Sequence, residues 1–316
     1  MTTRDDDALA TILLTNHLVD AGAAPLGTKE FWSLAASADP GALLGRTSKQ
    51  LEGDAGVGSD EAERIARLLD RATPTAFELE RMERTGMGVL TPFDEAYPAR
   101  LRERLGGAAP PLLYAVGNVE LLQSEGIGIV GSREVSAEGG EVAEAAAAAA
   151  AAGGLTVVSG GARGVDQRSM AAAYAAGGSV VGYLAESLDR RVKDPDTRRV
   201  VGEGVVCLAT PTNPGAGFSV ANAMNRNKLV YAASRTTLVV ATDEGRGGTW
   251  EGAVESLRRG FGSVAVWRGP GEGPGNHALV DRGAVPVDTV EALLASEPNG
   301  RPPRPAGTDP QLALDV

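Results

Sequence analysis

Cysteine, histidine and aromatic side chains are scarce in this chain of 316 residues. It holds one Cys, two His, five Phe, five Tyr and three Trp against 42 Gly. One Cys cannot close an intramolecular disulfide, which excludes a disulfide-stapled secreted scaffold and points to a reducing, cytoplasmic setting. A single Cys and two distant histidines, His17 and His277, cannot build a Cys/His zinc site, and no cofactor is expected. Long apolar runs are missing too. The longest is the alanine run Ala145–Ala152, whereas a bilayer span needs about 20 apolar residues. Alanine is the strongest helix former, so the run reads as a helix packed closely on a sheet. The start, Met1–Asp7, lacks the basic and apolar pattern of a signal peptide, and no membrane partner is expected. Positive charge is outnumbered, with 30 Lys and Arg against 41 Asp and Glu and a net charge of −11. That argues against a surface basic all over and leaves room for a local basic groove. What is present suffices for a full-sized core, since 43% of residues are hydrophobic. At about 150 residues per domain the length suggests two domains.

The pattern along the chain divides it in three. Residues 1–84 read as a small helical domain. Within it Asp60–Ala72 sets Ala62, Ile65, Ala66, Leu68 and Leu69 on one helical face. Just before lies Ala55–Ser59 with a Gly-Val-Gly turn. It resembles a helix-hairpin-helix unit, which offers backbone N–H groups to a DNA phosphate; it reads first as a plain helix pair joined by a glycine turn. Residues 85–295 read as a Rossmann-like unit with its connector. In the connector Thr91–Pro98 and Pro110-Pro111 break the helical pattern, and Leu112–Val116 is strand-like. From about residue 126 short apolar strands alternate with helices. Strands are expected at Ile127–Val130, Leu155–Val158, Ser179–Leu184, Gly204–Leu208, Thr237–Ala241, Ser263–Trp267 and Ala284–Val287. Helices are expected at 136–152, 165–176, 219–234 and 249–259. This predicts an α/β fold with a doubly wound, mostly parallel sheet. The Pro-rich stretch 296–316 reads as a disordered tail.

In such a sheet, ligands bind beyond the carboxyl ends of the strands. Gly, Ser, Thr and Arg follow those ends: Gly131-Ser132-Arg133, then Ser159–Asp166, and later Asp243–Glu251. Glycines let a ligand approach backbone amides, and helix N-termini favour anions. Arg133, Arg163, Arg226 and Arg246 suit bidentate phosphate contacts. Together they point to a phosphate-bearing ligand. Gly126–Gly131 formally matches the dinucleotide pattern G-x-G-x-x-G, but its first glycines open a strand instead of following one, so that reading is rejected. No P-loop pattern is present.

These segments carry a family resemblance. Tyr97-Pro98, Pro111–Gly117, Ile129–Arg133, Ser159–Asp166, Asn225–Val230, Gly247–Ala253 and Gly275–Ala284, in this order, resemble the DprA/Smf family of bacterial DNA-processing proteins. The resemblance implies a Rossmann-like protein that binds single-stranded DNA, protects it and delivers it to the RecA recombinase during natural transformation and recombination. It also implies a homodimer and no known catalytic reaction. Carried over by position, Gly131, Ser132, Arg133, Ser159, Gly160, Gly161, Arg163, Gly164 and Asp166 would line a phosphate-binding edge. Arg226, Asn227, Lys228, Gly248 and Thr249 would extend it. The chain departs from the family at Asp166–Met170, where an Ala-His is usual, and at Asp189–Arg199, which reads as a positively charged loop. It shows no segment resembling the winged helix of many members. Further basic candidates are Arg168, Arg190, Arg191, Arg198 and Arg199. Base-stacking candidates are few, and Tyr183, Tyr231 and Trp250 each read first as core. A second resemblance points elsewhere. Gly247-Gly248-Thr249 with Glu251 is similar to the motif of nucleoside-monophosphate phosphoribohydrolases, in which the Glu assists glycosidic cleavage. On that alternative Glu251 would be catalytic.

Overall fold

A computed structural model describes residues 5–296. The predicted tail lies outside these residues, apart from Ser296. Nine strands form one sheet: β1 (Met87–Leu90), β2 (Leu113–Gly117), β3 (Gly126–Val130), β4 (Thr156–Ser159), β5 (Val180–Tyr183), β6 (Val206–Thr210), β7 (Thr236–Val239), β8 (Ser263–Trp267) and β9 (Val285–Val287). Their order is β1-β2-β6-β5-β4-β3-β7-β8-β9. From β6 to β9 all neighbours are parallel; β1 and β2 add an antiparallel edge. The expected strands are all present within a residue or two of their ends. β1 is an addition, because Met87–Leu90 falls in the expected connector. Asp189–Arg199 also differs from the expected loop: most of it lies in two short helices, Leu188–Arg191 and Pro195–Gly202. The signal is local. Asp194 accepts the Thr197 N–H, and Pro195 occupies the first helical turn, where its missing N–H costs nothing.

Alternation along the strands separates two cores. Ile127, Ile129, Val157, Val180, Val206 and Leu238 face one side with the helices Ala137–Ala152 and Val165–Ala175. Val158, Val181, Tyr183, Cys207, Val239 and Val264 face the other with Val220–Ala233 and Gly248–Arg259. The alanine run serves the first core. Ser136 caps its helix by accepting the Gly139 N–H at 3.1 Å, and Ala143, Ala146, Ala147 and Ala150 are buried. Such small side chains let the two helices approach each other closely. The glycines that mimicked a dinucleotide motif have packing roles. A Cβ on Gly128 would stand 2.5 Å from the Thr237 hydroxyl oxygen, and one on Gly126 would stand 2.8 Å from the Thr156 carbonyl oxygen.

The helices of residues 5–83 cover one face of the β1–β2 edge, where Ile12 and Met82 join the first core. The Trp32 indole N–H donates to the Ala109 carbonyl at 2.7 Å, and the Arg102 guanidinium lies 3.7 Å over the Trp32 ring. The hairpin between the helices Ser48–Asp54 and Ser59–Leu69 turns at Gly56, whose φ of +64° favours glycine. Among the described residues no helix is long and apolar enough to cross a membrane, and no cluster of His, Cys, Asp and Glu could hold a metal ion.

Candidate functional site

The connection from β3 runs to its neighbour β4 over one face, while β7, on the other side of β3, is followed by a helix on the opposite face. The loops leaving β3 and β7 therefore part, and a crevice opens between them, as at the switch point of other doubly wound sheets. It is a cavity of about 790 Å³. The loops after β3, β4 and β7 line it together with one face of the helix Val220–Ala233, from Val220 to Tyr231. That helix is held at both ends. Ser219 caps its start by accepting the Asn222 N–H at 3.0 Å. Arg100 donates to the Ala233 carbonyl, and Arg104 to the carbonyls of Ala232 and Ser234. Cations at a helix C-terminus satisfy both its spare carbonyls and its dipole.

The base of the cavity is buried and charged. Asp166 is 5% exposed and Arg226 is 4% exposed. Asp166 accepts the Ala162 N–H at 3.3 Å, and the backbone amides of Gly131 and Gly160 help to stabilise its charge. Burial pushes its carboxyl up to about 6, while the Arg226 guanidinium and these amides pull the other way. Arg226 donates from Nη1 to the Tyr183 carbonyl at 2.8 Å, and its Nε is buried with no partner among the described residues. Burial lowers its hold on the proton, and neighbouring Asp166 opposes that. Gly160 is required between them, since a Cβ there would stand 1.7 Å from Arg226 Nη1 and 2.7 Å from Asp166 Oδ2. An amide of the loop after β4 is thus spent on an internal carboxylate, and Asp166 holds that loop in place.

Other contacts lock the loops together. The Thr249 hydroxyl donates to the Gly131 carbonyl at 3.0 Å, and the Asn227 amide donates to the Gly248 carbonyl at 3.0 Å. Gly164, at φ +81°, lets the second loop lie against the first, where a Cβ would meet the Ser132 carbonyl oxygen at 2.3 Å. The Gly275-Asn276 stretch acts as a clamp. Asn276, fully buried, accepts the Thr242 N–H and donates to the carbonyls of Val240 and Trp267. It fixes the loop after β7.

At the mouth Arg133 is exposed, its guanidinium 5.2 Å over the Phe218 ring. Phe218 is 53% exposed and Val220 is 73% exposed. Arg163 is also exposed, and Arg246 pairs with Asp243 at 3.2 Å. Phe218 was missed in the sequence because it follows a Gly- and Pro-rich turn with no periodicity. The three aromatics considered for stacking are buried: Tyr183 at 0%, Tyr231 at 2% and Trp250 at 5% exposure.

Of the sequence candidates, Gly131, Ser132, Arg133, Gly160, Arg163, Asp166, Arg226, Asn227, Gly248 and Thr249 line the cavity, as does Glu251. Four others do not. Ser159 is fully buried, with its hydroxyl donating to the Ile129 carbonyl at 2.6 Å. Gly161 and Gly164 shape the second loop from behind. Lys228 faces Glu255 and Arg259 on the helix Gly248–Arg259, and burial depresses its ammonium pKa. Arg168, Arg191 and Arg199 are engaged with Glu144, Glu186 and Glu203, whereas Arg190 and Arg198 are exposed away from the cavity. His17 follows the helix Asp6–Thr15, and His277 lies in the helix Asn276–Val280.

Comparison with known proteins gives a consistent pattern. A family model described as DNA recombination-mediator protein A matches residues 88–297. A putative DNA processing protein DprA of Mycobacterium tuberculosis is 31% identical over 287 residues, covering 82% of this chain and 70% of that protein. The crystal structure of DNA processing protein A from Streptococcus pneumoniae superposes with a TM-score of 0.62 at 22% identity, covering 86% of this chain and 98% of the other. A Helicobacter pylori DNA processing protein A superposes with a TM-score of 0.53 at 21% identity, covering 66% and 94%. The last two similarities establish the fold.

Proposed function

The chain belongs to the DNA recombination-mediator protein A family, and on that footing we propose that its strand-end cavity binds single-stranded DNA. The observation that carries the reading is the convergence of Arg133, Arg163, Arg226 and Arg246 on one cavity with an exposed aromatic ring, Phe218, at its mouth. Cations with a stacking surface are what strand binding without sequence preference requires. The Helicobacter pylori protein of the same fold is described by its single-stranded DNA binding mode, which supports the assignment. The ring suits an unstacked base, so single strands are favoured over duplex.

The role that follows is to protect incoming DNA and deliver it to RecA in transformation and recombination, as a cytoplasmic homodimer without catalysis of its own. A gel shift with labelled single- and double-stranded oligonucleotides tests the binding step, comparing wild type with Arg133→Ala and Arg226→Ala. Single strands shift at low salt, and both variants weaken the shift. If wild type leaves single strands unshifted, the reading fails. RecA filament growth on strands precoated with the protein, and the mass of the protein in solution, test the delivery and the dimer.

A second reading has one observation in its favour: Glu251 lines the same cavity. On that reading the site cleaves a nucleoside monophosphate, and AMP releases free adenine in a reaction that Glu251→Gln abolishes. The strand-binding reading expects no release.

A further inference from the structure

A second hollow lies on the other side of the loop after β4. It encloses about 530 Å³ over β5 and β6, between the helices Val165–Ala175 and Pro195–Gly202. Its floor is apolar: Val180 and Leu184 along β5 and just past its end, Val206 and Leu208 on β6. Its walls are half-buried, with Met170 and Tyr174 on the first helix and Val200 and Val201 on the second. The Tyr174 hydroxyl donates to Glu203 at 2.6 Å and accepts from Arg199 at 3.2 Å, which bridges the two helices at one end. The groove thus follows β5 from Val180 to Leu184, about 13 Å at the rise of a strand. Charges at its rim balance one another. Arg191 pairs with Glu186, Arg199 pairs with Glu203, and Asp194 accepts from the Thr197 hydroxyl and N–H. What remains for recognition is apolar, so the groove does not suit a nucleic-acid backbone.

The chain carries a segment of matching chemistry. Residues 297–316 lie outside the described ones. In sequence, residues 297–310 are Pro, Gly, Ala and polar residues, and the large apolar side chains of the stretch are confined to Leu312, Leu314 and Val316. Their period of two is that of an extended segment with one apolar side. From Leu312 to Val316 such a segment spans about 13 Å, the length of the groove. The reach suffices. The helix Val290–Ala295 packs on the helix Ala137–Ala152, on the same side of the sheet as the groove. Packed helices lie about 8–10 Å apart, so three such spacings, about 30 Å, separate that helix from the groove. A Pro-rich linker extends about 3.1 Å per residue, or about 45 Å over residues 297–310.

We propose that this groove is the docking site of the chain's own segment Gln311–Val316, bound extended with Leu312, Leu314 and Val316 toward the floor. The docked segment bears on the strand-end cavity through one loop. Gly161 lines the groove, while its neighbours Gly160 and Ala162 line that cavity.

A labelled peptide of residues 307–316 is titrated into the full chain and into a chain shortened after Pro310. A linker of this length gives the tethered segment an effective concentration on the order of millimolar. A peptide with a dissociation constant of about 0.1 mM then binds the shortened chain about tenfold more tightly than the full chain. A peptide carrying Leu312→Asp and Leu314→Asp does not bind. Ala171 is an exposed wall residue, and Ala171→Arg in the shortened chain obstructs the groove and weakens the peptide at least about tenfold. No binding to the folded shortened chain overturns the proposal. Equal affinity for the two chains overturns it as well, because the intact protein would then leave the groove open. Competition that grows with the concentration of the full chain gives the groove to the segment of a second copy and contradicts docking within one chain. Peptide binding that Ala171→Arg leaves unchanged puts the segment on another surface and contradicts the assignment of the groove.

Discussion

Two arginines are equally buried in this molecule, and their surroundings assign them different work. Arg71, in the helical region, and Arg226, at the base of the cavity, are each 4% exposed. Arg71 is saturated. It donates to the carbonyls of Leu13, Val19, Asn16 and Leu68 and so ties the helix Asp6–Thr15 and the loop after it to the helix Ser59–Leu69. Arg226 donates to one carbonyl, lies beside a buried carboxylate, keeps an Nε without a partner among the described residues and lines a cavity. Burial alone therefore does not mark a functional cation. The mark is burial with unused donors beside open space, because an unsatisfied buried polar group costs more than a hydrogen bond returns.

The comparison is sharpened first at Arg71. Arg71→Met strips one donor group from four carbonyls and is expected to cost about 3–5 kcal/mol of stability. Urea unfolding measures the loss, and the folded fraction retains its affinity for single strands. If stability is hardly changed, the clamp is not what holds these helices.

Asp166 supplies the next largest effect. Its folded carboxyl lies at about 6, above its ordinary 3.8, because it is buried. Between these values the folded state holds the proton that the unfolded state has released. The contribution to stability is therefore fully present below about pH 4 and is lost as pH rises to about 6, amounting to up to about 3 kcal/mol. Asp166→Asn should flatten that segment of a stability–pH curve. An equally steep segment in the variant would assign the slope to other groups.

Arg226→Ala comes third, with a loss of about 10- to 100-fold in strand affinity, the range for a charge-assisted phosphate contact. Its stability cost should be smaller than that of Arg71→Met, since Arg226 makes fewer hydrogen bonds. The reverse ranking in paired unfolding curves would erase the distinction between the two arginines. Phe218→Ala is the smallest. Stability stays within about 0.5 kcal/mol, as for most surface changes, while strand affinity falls about tenfold through lost stacking. Calorimetry and a binding titration read the two quantities separately.

Much of this architecture was legible in the chain. The alternation of apolar strands and helices from residue 126 onward predicts a parallel sheet, and the glycine- and arginine-rich loops fall at its carboxyl edge as expected. Cys207, Tyr183 and Tyr231 are core residues, as their apolar strands and helix imply. The misses share a cause. Which way a side chain points depends on the tertiary neighbour, and spacing does not reveal it. Lys228 sits two residues beyond Arg226, about 200° around the helix, and turns to Glu255. Ser159 ends β4 inside the sheet. Phe218 lies in a turn whose composition advertises only a loop. β1 is defined by its pairing with β2, whose residues lie 23–29 positions further along the chain.

The most direct test of the central claim is the salt dependence of single-strand binding. If arginines at the strand-end cavity hold phosphates, log affinity falls linearly with log salt, with a slope of about −0.7 for each phosphate contacted and about −2 to −3 for the three or four arginines converging there. Arg133→Ala should make that slope shallower by about one contact's worth. Binding of single strands that is independent of salt, or unchanged in slope by Arg133→Ala, would contradict the account.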